Sequence, residues 1–272
     1  MLLKHLIATA ANSKIEEFLK NDWYRSLREN VDLTKIDVLI IDYGLNNPPE
    51  GVIIFPAVVH SGLINNTRFL NLALFLEEHP EYDQILFCDG GDIIFQKDIS
   101  HLFEEHKDSY RAVVERLSPP IDLLVKEEDL INGKEIKSFL SEKRLFNVGM
   151  IMAPREGFIK LADEMKKHLK NMNVWGGDTV IGNFVMYKNS YVELPTKYNF
   201  IPSTAREKFY VKDSKFYLQN GELIPIVHNA GRYRFLRPVR NFGYGEGKNK
   251  VNRLNIFLFR ISFSIANLLK RK

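Results

Sequence analysis

The sequence of 272 residues contains one cysteine, Cys88, which excludes an intramolecular disulfide framework and fits a reducing compartment. It has no internal repeat and no low-complexity tract, so repeat arrays are excluded. Its most apolar C-terminal run is interrupted and too short for a membrane span. Acids are nearly missing from one end: Arg232 to Lys272 holds 11 Lys or Arg against Glu246 alone, a balance of +10. Residues 1–231 carry 27 Lys or Arg against 33 acids, a balance of −6. The formal charge of +4 therefore hides a basic C-terminal end that suits an anionic partner, such as phosphate groups, a lipid surface or nucleic acid.

What is present suits one large α/β domain, or one domain with a small appendage, because 45% hydrophobic content can fill a core at this length. The opening "MLLKHLIATAAN" contains a cleavage-like "ATAA", but Lys4 and His5 break its apolar stretch, so it reads as a strand and the expected location is cytoplasmic. A helix with apolar Ile15, Phe18 and Leu19 is expected between Ser13 and Asn30. "IDVLIIDYG" and "VIIFPAVV" follow as strands, separated by the turn formers "NNPPEG". "NNTRFLNLALFLEEH" is a helix capped by Asn66 or Thr67, and "YDQILFCD" is another buried strand. This alternation predicts a mainly parallel sheet. Residues 117–144 read as an irregular insertion with one short helix, after which "RLFNVGMIMAP" is a strand, "EGFIKLADEMKKHLKNM" a helix and "WGGDTVIGNFVMY" a glycine-rich turn into a helix.

The stretch "QILFCDGGDIIFQKD" brings two carboxylates, Asp89 and Asp92, to the end of a buried strand, where open α/β folds bind ligands. Burying two like charges together is costly, and a divalent cation such as Mg²⁺ or Mn²⁺ offsets it while bridging to substrate phosphates. Gly90 and Gly91 then leave room for a diphosphate to approach the backbone. Two capping aspartates at an ordinary strand-to-turn junction are the alternative. Likewise His228 is either an imidazole ligand near that metal or a satisfied core histidine, and Asp178 is either functional or a helix N-cap.

The segment "RFLNLALFLEEHPEYDQILFCDGGDIIFQKDISHLF" resembles the core of GT-A nucleotide-sugar glycosyltransferases, especially glycosyltransferase family 8. Arg68 matches the arginine of the family's helix, Asp92 the second aspartate of its D-x-D motif and Asp98 a later aspartate, although this chain has D-x-x-D. "FNVGMIMAP", "GGDTVIGNFV", "LPTKYNFIP" and "IVHNAGRYR" resemble further family segments in the same order, with Arg234 where a diphosphate-binding lysine is expected. The resemblance covers roughly residues 3–240. It implies a Rossmann-like GT-A fold, a mixed and mainly parallel sheet flanked by helices. It implies Asp89, Asp92 and His228 as ligands of Mn²⁺ or Mg²⁺. Thr9, Ala10, Asn12, Arg68, Gly90, Gly91, Gly231, Arg232 and Arg234 would hold the donor, and Asn147 and Asp178 would stand at the reacting sugar, with Asn183 on the supporting helix.

The implied activity is metal-dependent transfer from a nucleotide diphosphate sugar, UDP-linked by expectation, to a glycan or glycolipid acceptor in cell-envelope polysaccharide or lipooligosaccharide synthesis. Retention of configuration is implied by the resemblance; an inverting course would need a base, for which Asp178 is the candidate. A sugar-nucleotide nucleotidyltransferase is the nearest alternative, but "ATAANSKIEEF" lacks the glycine-rich, Arg- and Lys-bearing loop that it would need. A noncatalytic carbohydrate- or phospholipid-binding protein of the same fold is the other. The expected organisation is a transferase domain over 1–240, with 117–144 as a variable acceptor region, and a basic amphipathic tail over 241–272. In that tail Leu254, Phe257, Leu258, Ile261, Ile265 and Leu268 form one helical stripe, and Ile256, Phe259 and Phe263 a second. Such a helix fits either a bilayer interface next to anionic lipid, on the inner face of the membrane, or a docking site on the domain or a partner chain. The alternation of basic residues with an aliphatic stripe argues against nucleic acid.

Overall fold

The computed structural model describes residues 3–118, 120–231 and 237–270. Strand β1 (Lys4–Ala11) is apolar almost throughout and buried on both faces, as expected of an interior parallel strand. Its neighbours β2 (Ile36–Asp42) and β4 (Tyr82–Cys88) both run parallel to it, and β3 (Ile53–Pro56) runs parallel to β2. Strand β7 (Phe146–Pro154) is antiparallel to both β4 and β6 (Tyr110–Val114), and β8 (Tyr191–Glu193) closes the edge parallel to β6. The sheet order is β3-β2-β1-β4-β7-β6-β8, the mixed and mostly parallel sheet expected of a GT-A fold.

Side chains on successive residues sort to opposite faces, as the two-residue period of a strand requires. Leu6, Ala8, Ile85 and Phe87 meet α3 (Ile64–Glu78), α5 (Arg155–His168) and α6 (Gly177–Lys188) in one core, where Phe69, Phe75 and Phe158 are buried. Ile7, Ile40, Leu86 and Cys88 point the other way, against Trp23, Phe95 and Phe103. Burial pushes the Cys88 thiol well up, which leaves it protonated and inert. The segment after β1 is helical as expected, but its ends, α1 (Glu16–Phe18) and α2 (Arg25–Asn30), flank a π-helical stretch from Leu19 to Tyr24. Asp22 in that stretch accepts a hydrogen bond from the Tyr244 N–H at 2.7 Å, which ties the C-terminal segment to the first helix.

A third, smaller core joins Ile94, Phe200, Phe209, Phe216, Val227, Val239 and Ile256. It forms because β5 (Ile93–Phe95) leaves the main sheet and pairs antiparallel with β11 (Ile226–His228), placing His228 opposite Ile93. The two-stranded β9 (Phe209–Lys212) and β10 (Lys215–Leu218) pack beside it. The insertion contains α4 (Gly133–Leu140) and two short 3₁₀ turns. The chain ends in α7 (Arg253–Lys270), which buries Ile256 in the third core while Leu254, Phe257, Leu258, Ile261 and Ile265 are exposed. Among the described residues no helix is long and apolar enough to cross a membrane.

Trp23 is fully buried against Phe95 in an edge-on contact, so the second core has no way to refill the volume of its indole. Trp23→Ala is expected to lower the unfolding free energy by about 3–5 kcal/mol, measured by urea denaturation with the slope unchanged.

Candidate active site

The ends of β4, β5 and β11 meet the first half of β7 on one wall. Asp89 follows the last residue of β4, and its N–H donates to the Gly149 carbonyl of β7 at 2.8 Å. Asp92 immediately precedes β5, and its carbonyl accepts from the Asn229 N–H at 2.8 Å, just past the end of β11. The pairing of β5 with β11 therefore sets where Asp92 and His228 stand. One ligand atom from each of Asp89, Asp92 and His228 falls within 4.8 Å of the others. His228 Nε2 lies 3.3 Å from Asp92 Oδ1 and 3.5 Å from Asp89 Oδ2, and although buried it makes no hydrogen bond.

Burial opposes a charge on His228, but Asp92 and Asp89 outweigh it and push its pKa up to about 9. Burial alone would raise the Asp89 carboxyl; the Arg68 guanidinium and His228 outweigh it and hold it below the usual carboxylate range. Arg68, itself buried, ion-pairs with Asp89 and reaches Asp178 Oδ2 at 3.4 Å. Asp92 has its own cation, since Arg237 Nη2 lies 2.8 Å from Oδ2. Burial raises the Asp178 carboxyl, as it does that of Glu115.

These groups line a cavity of about 640 Å³, where Asp89, Asp92, Glu115 and Asp178 face the guanidiniums of Arg68 and Arg237. Asp89 and Asp92 converge on the His228 imidazole and raise its pKa, and a divalent cation would take the place of that extra proton. Two carboxylates and an imidazole whose inward nitrogen makes no hydrogen bond suit Mg²⁺ or Mn²⁺. Gly149 keeps the space open: a Cβ there would come within 2.6 Å of His228 Cε1, 2.7 Å of Asp89 Oδ2 and 2.9 Å of Asn147 Oδ1.

Asn147, Asp178, Arg68 and Gly231, which the resemblance assigned to the donor and the reacting sugar, also lie on the cavity wall. Asn147 Nδ2 donates to the Glu115 carboxylate. Asp178 Oδ1 accepts from the Thr179 N–H at 2.8 Å at the start of α6, and Asn183 pins that helix to Phe146 through both of its amide atoms. Thr9, Ala10, Asn12, Gly90 and Gly91 are outside the lining. Thr9 is fully buried, and a Cβ on Gly90 would come within 2.6 Å of its Oγ1 and 3.1 Å of Leu19. A Cβ on Gly91 would meet Ile15 at 3.2 Å. A side chain at Gly90 would therefore displace Thr9 and one at Gly91 would press on Ile15, so the turn lies close on β1 and the first helix at the positions where the sequence suggested clearance for a diphosphate. Asp98 acts locally, accepting from the N–H groups of Asp32 and Ser100. Arg232 and Arg234 lie outside the described residues.

The glycosyl transferase family 8 profile matches residues 61–234, which contain every one of these strand ends. The chain belongs to that family. The apo structure of the WbbM bifunctional glycosyltransferase is similar to this family 8 chain, with a TM-score of 0.57 and 15% identity over 88% of this chain and 47% of that one. At that identity the likeness shows the GT-A fold, and the chain spans about half of its neighbour's length. No curated protein sequence matches. The family is one of glycosyl transferases, and the neighbour agrees with it in fold.

Sequence reasoning missed Glu115, Arg237 and Trp175. Glu115 directly follows β6, where nothing local marks it. Arg237 sits among eleven basic residues with no spacing to single it out. Trp175 precedes Gly176 and Gly177 and is 36% exposed on the cavity wall, a position readable from the sequence only once α6 is placed.

Gly149→Ala is expected to weaken metal-dependent nucleotide binding at least about tenfold with helix content unchanged, because its Cβ displaces two ligand side chains. Calorimetry and circular dichroism check it; undiminished binding would put the metal somewhere other than between Asp89 and His228.

Proposed function

We propose that the chain transfers a sugar from a nucleotide diphosphate sugar, UDP-linked as the first candidate, to a hydroxyl of a glycan or glycolipid acceptor. A Mn²⁺ or Mg²⁺ ion would be held by Asp89, Asp92 and His228. The observation that carries the reading is the convergence of these three ligand atoms within 4.8 Å, on the wall of a cavity shared with Asn147 and Asp178. When bound, the ion neutralises charge on the departing diphosphate.

The chain's own groups supply the rest. Arg237 is close enough to Asp92 to remain at the diphosphate side of the site, and Arg232 and Arg234 add positive charge nearby in sequence. Gly231, whose carbonyl accepts from Arg237 Nε at 3.0 Å, steadies that arginine. Arg68 is assigned to holding Asp89 and Asp178 in place, and Thr9, Gly90 and Gly91 to supporting the turn from below. Ala10 and Asn12, at the end of β1, are assigned to the nucleotide side. Asn147 and Asp178 orient the donor sugar and the incoming hydroxyl.

The acceptor oxygen bonds to the anomeric carbon as the bond from that carbon to the diphosphate oxygen breaks. In a retaining course the hydroxyl proton passes to the departing phosphate. In an inverting course Asp178, whose raised pKa suits a base, takes it. Trp175 and the neighbouring Leu124 of the 117–144 insertion offer an apolar wall for an acceptor sugar ring. Envelope polysaccharide or lipooligosaccharide synthesis is the setting that this acceptor class fits.

The test is calorimetric titration of UDP with Mn²⁺, then with excess chelator, on wild type, Asp92→Ala and His228→Ala. Binding that needs the metal and is lost in both variants supports the reading. Binding of a different nucleoside diphosphate changes only the donor. Metal-dependent binding of none removes the transferase reading and leaves a noncatalytic carbohydrate- or phospholipid-binding role.

A second observation bears on where the acceptor comes from. On α7, Ile256 and Phe259 turn toward the domain and the cavity, while Leu254, Phe257, Leu258, Ile261 and Ile265 form an exposed face within the strongly basic end of the chain. An anionic lipid surface matches both its apolarity and its charge, and would bring a lipid-linked acceptor beside the cavity, with the protein peripheral on the membrane's inner face. The protein is expected to sediment with phosphatidylglycerol vesicles and not with phosphatidylcholine vesicles, and to be released by Ile261→Glu or by high salt. Equal recovery with both vesicle types would rule this out.

A further inference from the structure

Resting on the metal reading above, the structure assigns a further role: we propose that Asn199 is the positioning residue that fixes which nitrogen of His228 faces the cation, through a directed chain of hydrogen bonds that begins at Glu115 and Gly149. The direction is set at its far end. The Gly149 N–H can only donate, and it lies 3.1 Å from Asn147 Oδ1. The other end of the same amide, Asn147 Nδ2, donates to the Glu115 carboxylate. With its oxygen fixed inward, Asn147 requires a donor from Asn199, whose Nδ2 lies 3.0 Å from Asn147 Oδ1. Asn199 Oδ1 therefore faces His228 Nδ1, at 3.0 Å, and must accept a proton from it. The proton held on Nδ1 makes Nε2 the nitrogen that faces Asp89 and Asp92 and, on giving up its own proton, offers its lone pair to the cation.

The backbone makes this geometry rigid. Asn199 ends a 3₁₀ turn from Thr196 to Asn199, and the next residue is clamped on both sides: the Phe200 N–H donates to Ile226 at 3.0 Å, and the His228 N–H donates to the Phe200 carbonyl at 2.9 Å. Asn199 and His228 are 1% and 2% exposed, so water has little access to replace the bond between them. No other described group bonds His228 Nδ1, so its orientation depends on Asn199.

The test is Mn²⁺ binding by the full chain, read as the free-ion electron paramagnetic resonance signal. It uses wild type, Asp92→Ala, Asn199→Leu, Asn199→Ala and Asn199→Asp, each checked for folding by circular dichroism and thermal melting. Asn199→Leu and Asn199→Ala should raise the Mn²⁺ dissociation constant about 10–100-fold. Asn199→Asp, which still accepts from Nδ1, should recover most of that loss. A purely packing role predicts that leucine and aspartate, which both nearly conserve volume, bind Mn²⁺ like wild type and that only alanine loses affinity, so leucine is the discriminating variant. If Asn199→Leu does not fold, Asn199→Met takes its place. Wild-type affinity in the folded leucine or alanine variant, or an aspartate variant as weak as alanine, overturns the role of Asn199. Failure of the metal reading looks different: wild type and Asp92→Ala would then bind Mn²⁺ alike.

Discussion

The site depends on how negative charge is tolerated at the end of a buried sheet. Asp89 stands where β4 leaves the core, and its ionised form is held there by His228 and above all by Arg68, which approaches from α3 and also reaches Asp178 at the start of α6. One buried guanidinium therefore links a strand, a helix on one face of the sheet and the glycine-rich turn of another helix. It lies over the rings of Phe69 and Phe87, at 5.0 and 5.4 Å from their centroids, so the apolar core adds cation–π contacts to its ion pairs. Removing a partner from such a set leaves a charge buried alone, which is more costly than any surface ion pair. The compensation remains incomplete. Asp92 adds a second carboxylate, Arg237 meets part of its charge, and Asp92 and Asp89 together raise the pKa of His228.

The departure from D-x-D also follows from the strand pairing. The extra residue in Asp89-Gly90-Gly91-Asp92 would matter if the two carboxylates were positioned by a single continuous turn. Here each is positioned by a different strand end: Asp89 by its bond to β7 and Asp92 by its bond to Asn229 and the pairing of β5 with β11. The turn between them needs only to be short and narrow enough to lie on Thr9, Leu19 and Ile15, and the two glycines meet that need.

Much of this was legible because it is local. Apolar runs without alternation identified β1, β2 and β4 as strands buried on both faces, and the apolar stripe from Phe69 to Leu76 identified α3. The candidate ligands were legible for a different reason: several weak motifs occurred in the order known for one family. What was not legible is non-local. The resumption of strand at Ile93 was readable, but not its departure from the main sheet, because that is decided by a partner more than 130 residues later. Glu115 and Arg237 are unremarkable in their own segments and acquire meaning only across the cavity. Asn199 was matched as part of a family segment, yet its bond to His228 depends on the fold bringing two loop residues into register. Gly90 and Gly91 were noticed for their missing side chains, but which neighbours pack against them is not written in the sequence.

The two apolar stripes of the C-terminal helix show where sequence periodicity stops and packing begins. Periodicity could separate the stripes but not rank them, because both are apolar and both are flanked by basic residues. The fold ranks them through Ile256, which completes the third core, and through Arg260, whose guanidinium donates to the carbonyls of Ser203 and Ala205. With that face committed, Phe259 is carried to the cavity wall and the opposite stripe is left facing outward. Arg253 and Arg260 are both drawn toward the domain, Arg253 bonding the Phe209 carbonyl, so neither of these two cations is simply a solvated charge. The helix therefore forms part of the enzyme's wall and part of its outer surface at once. Any ligand that engages the outer stripe acts on an element that also contacts the cavity, which gives the surface and the site a physical connection through a single turn of helix.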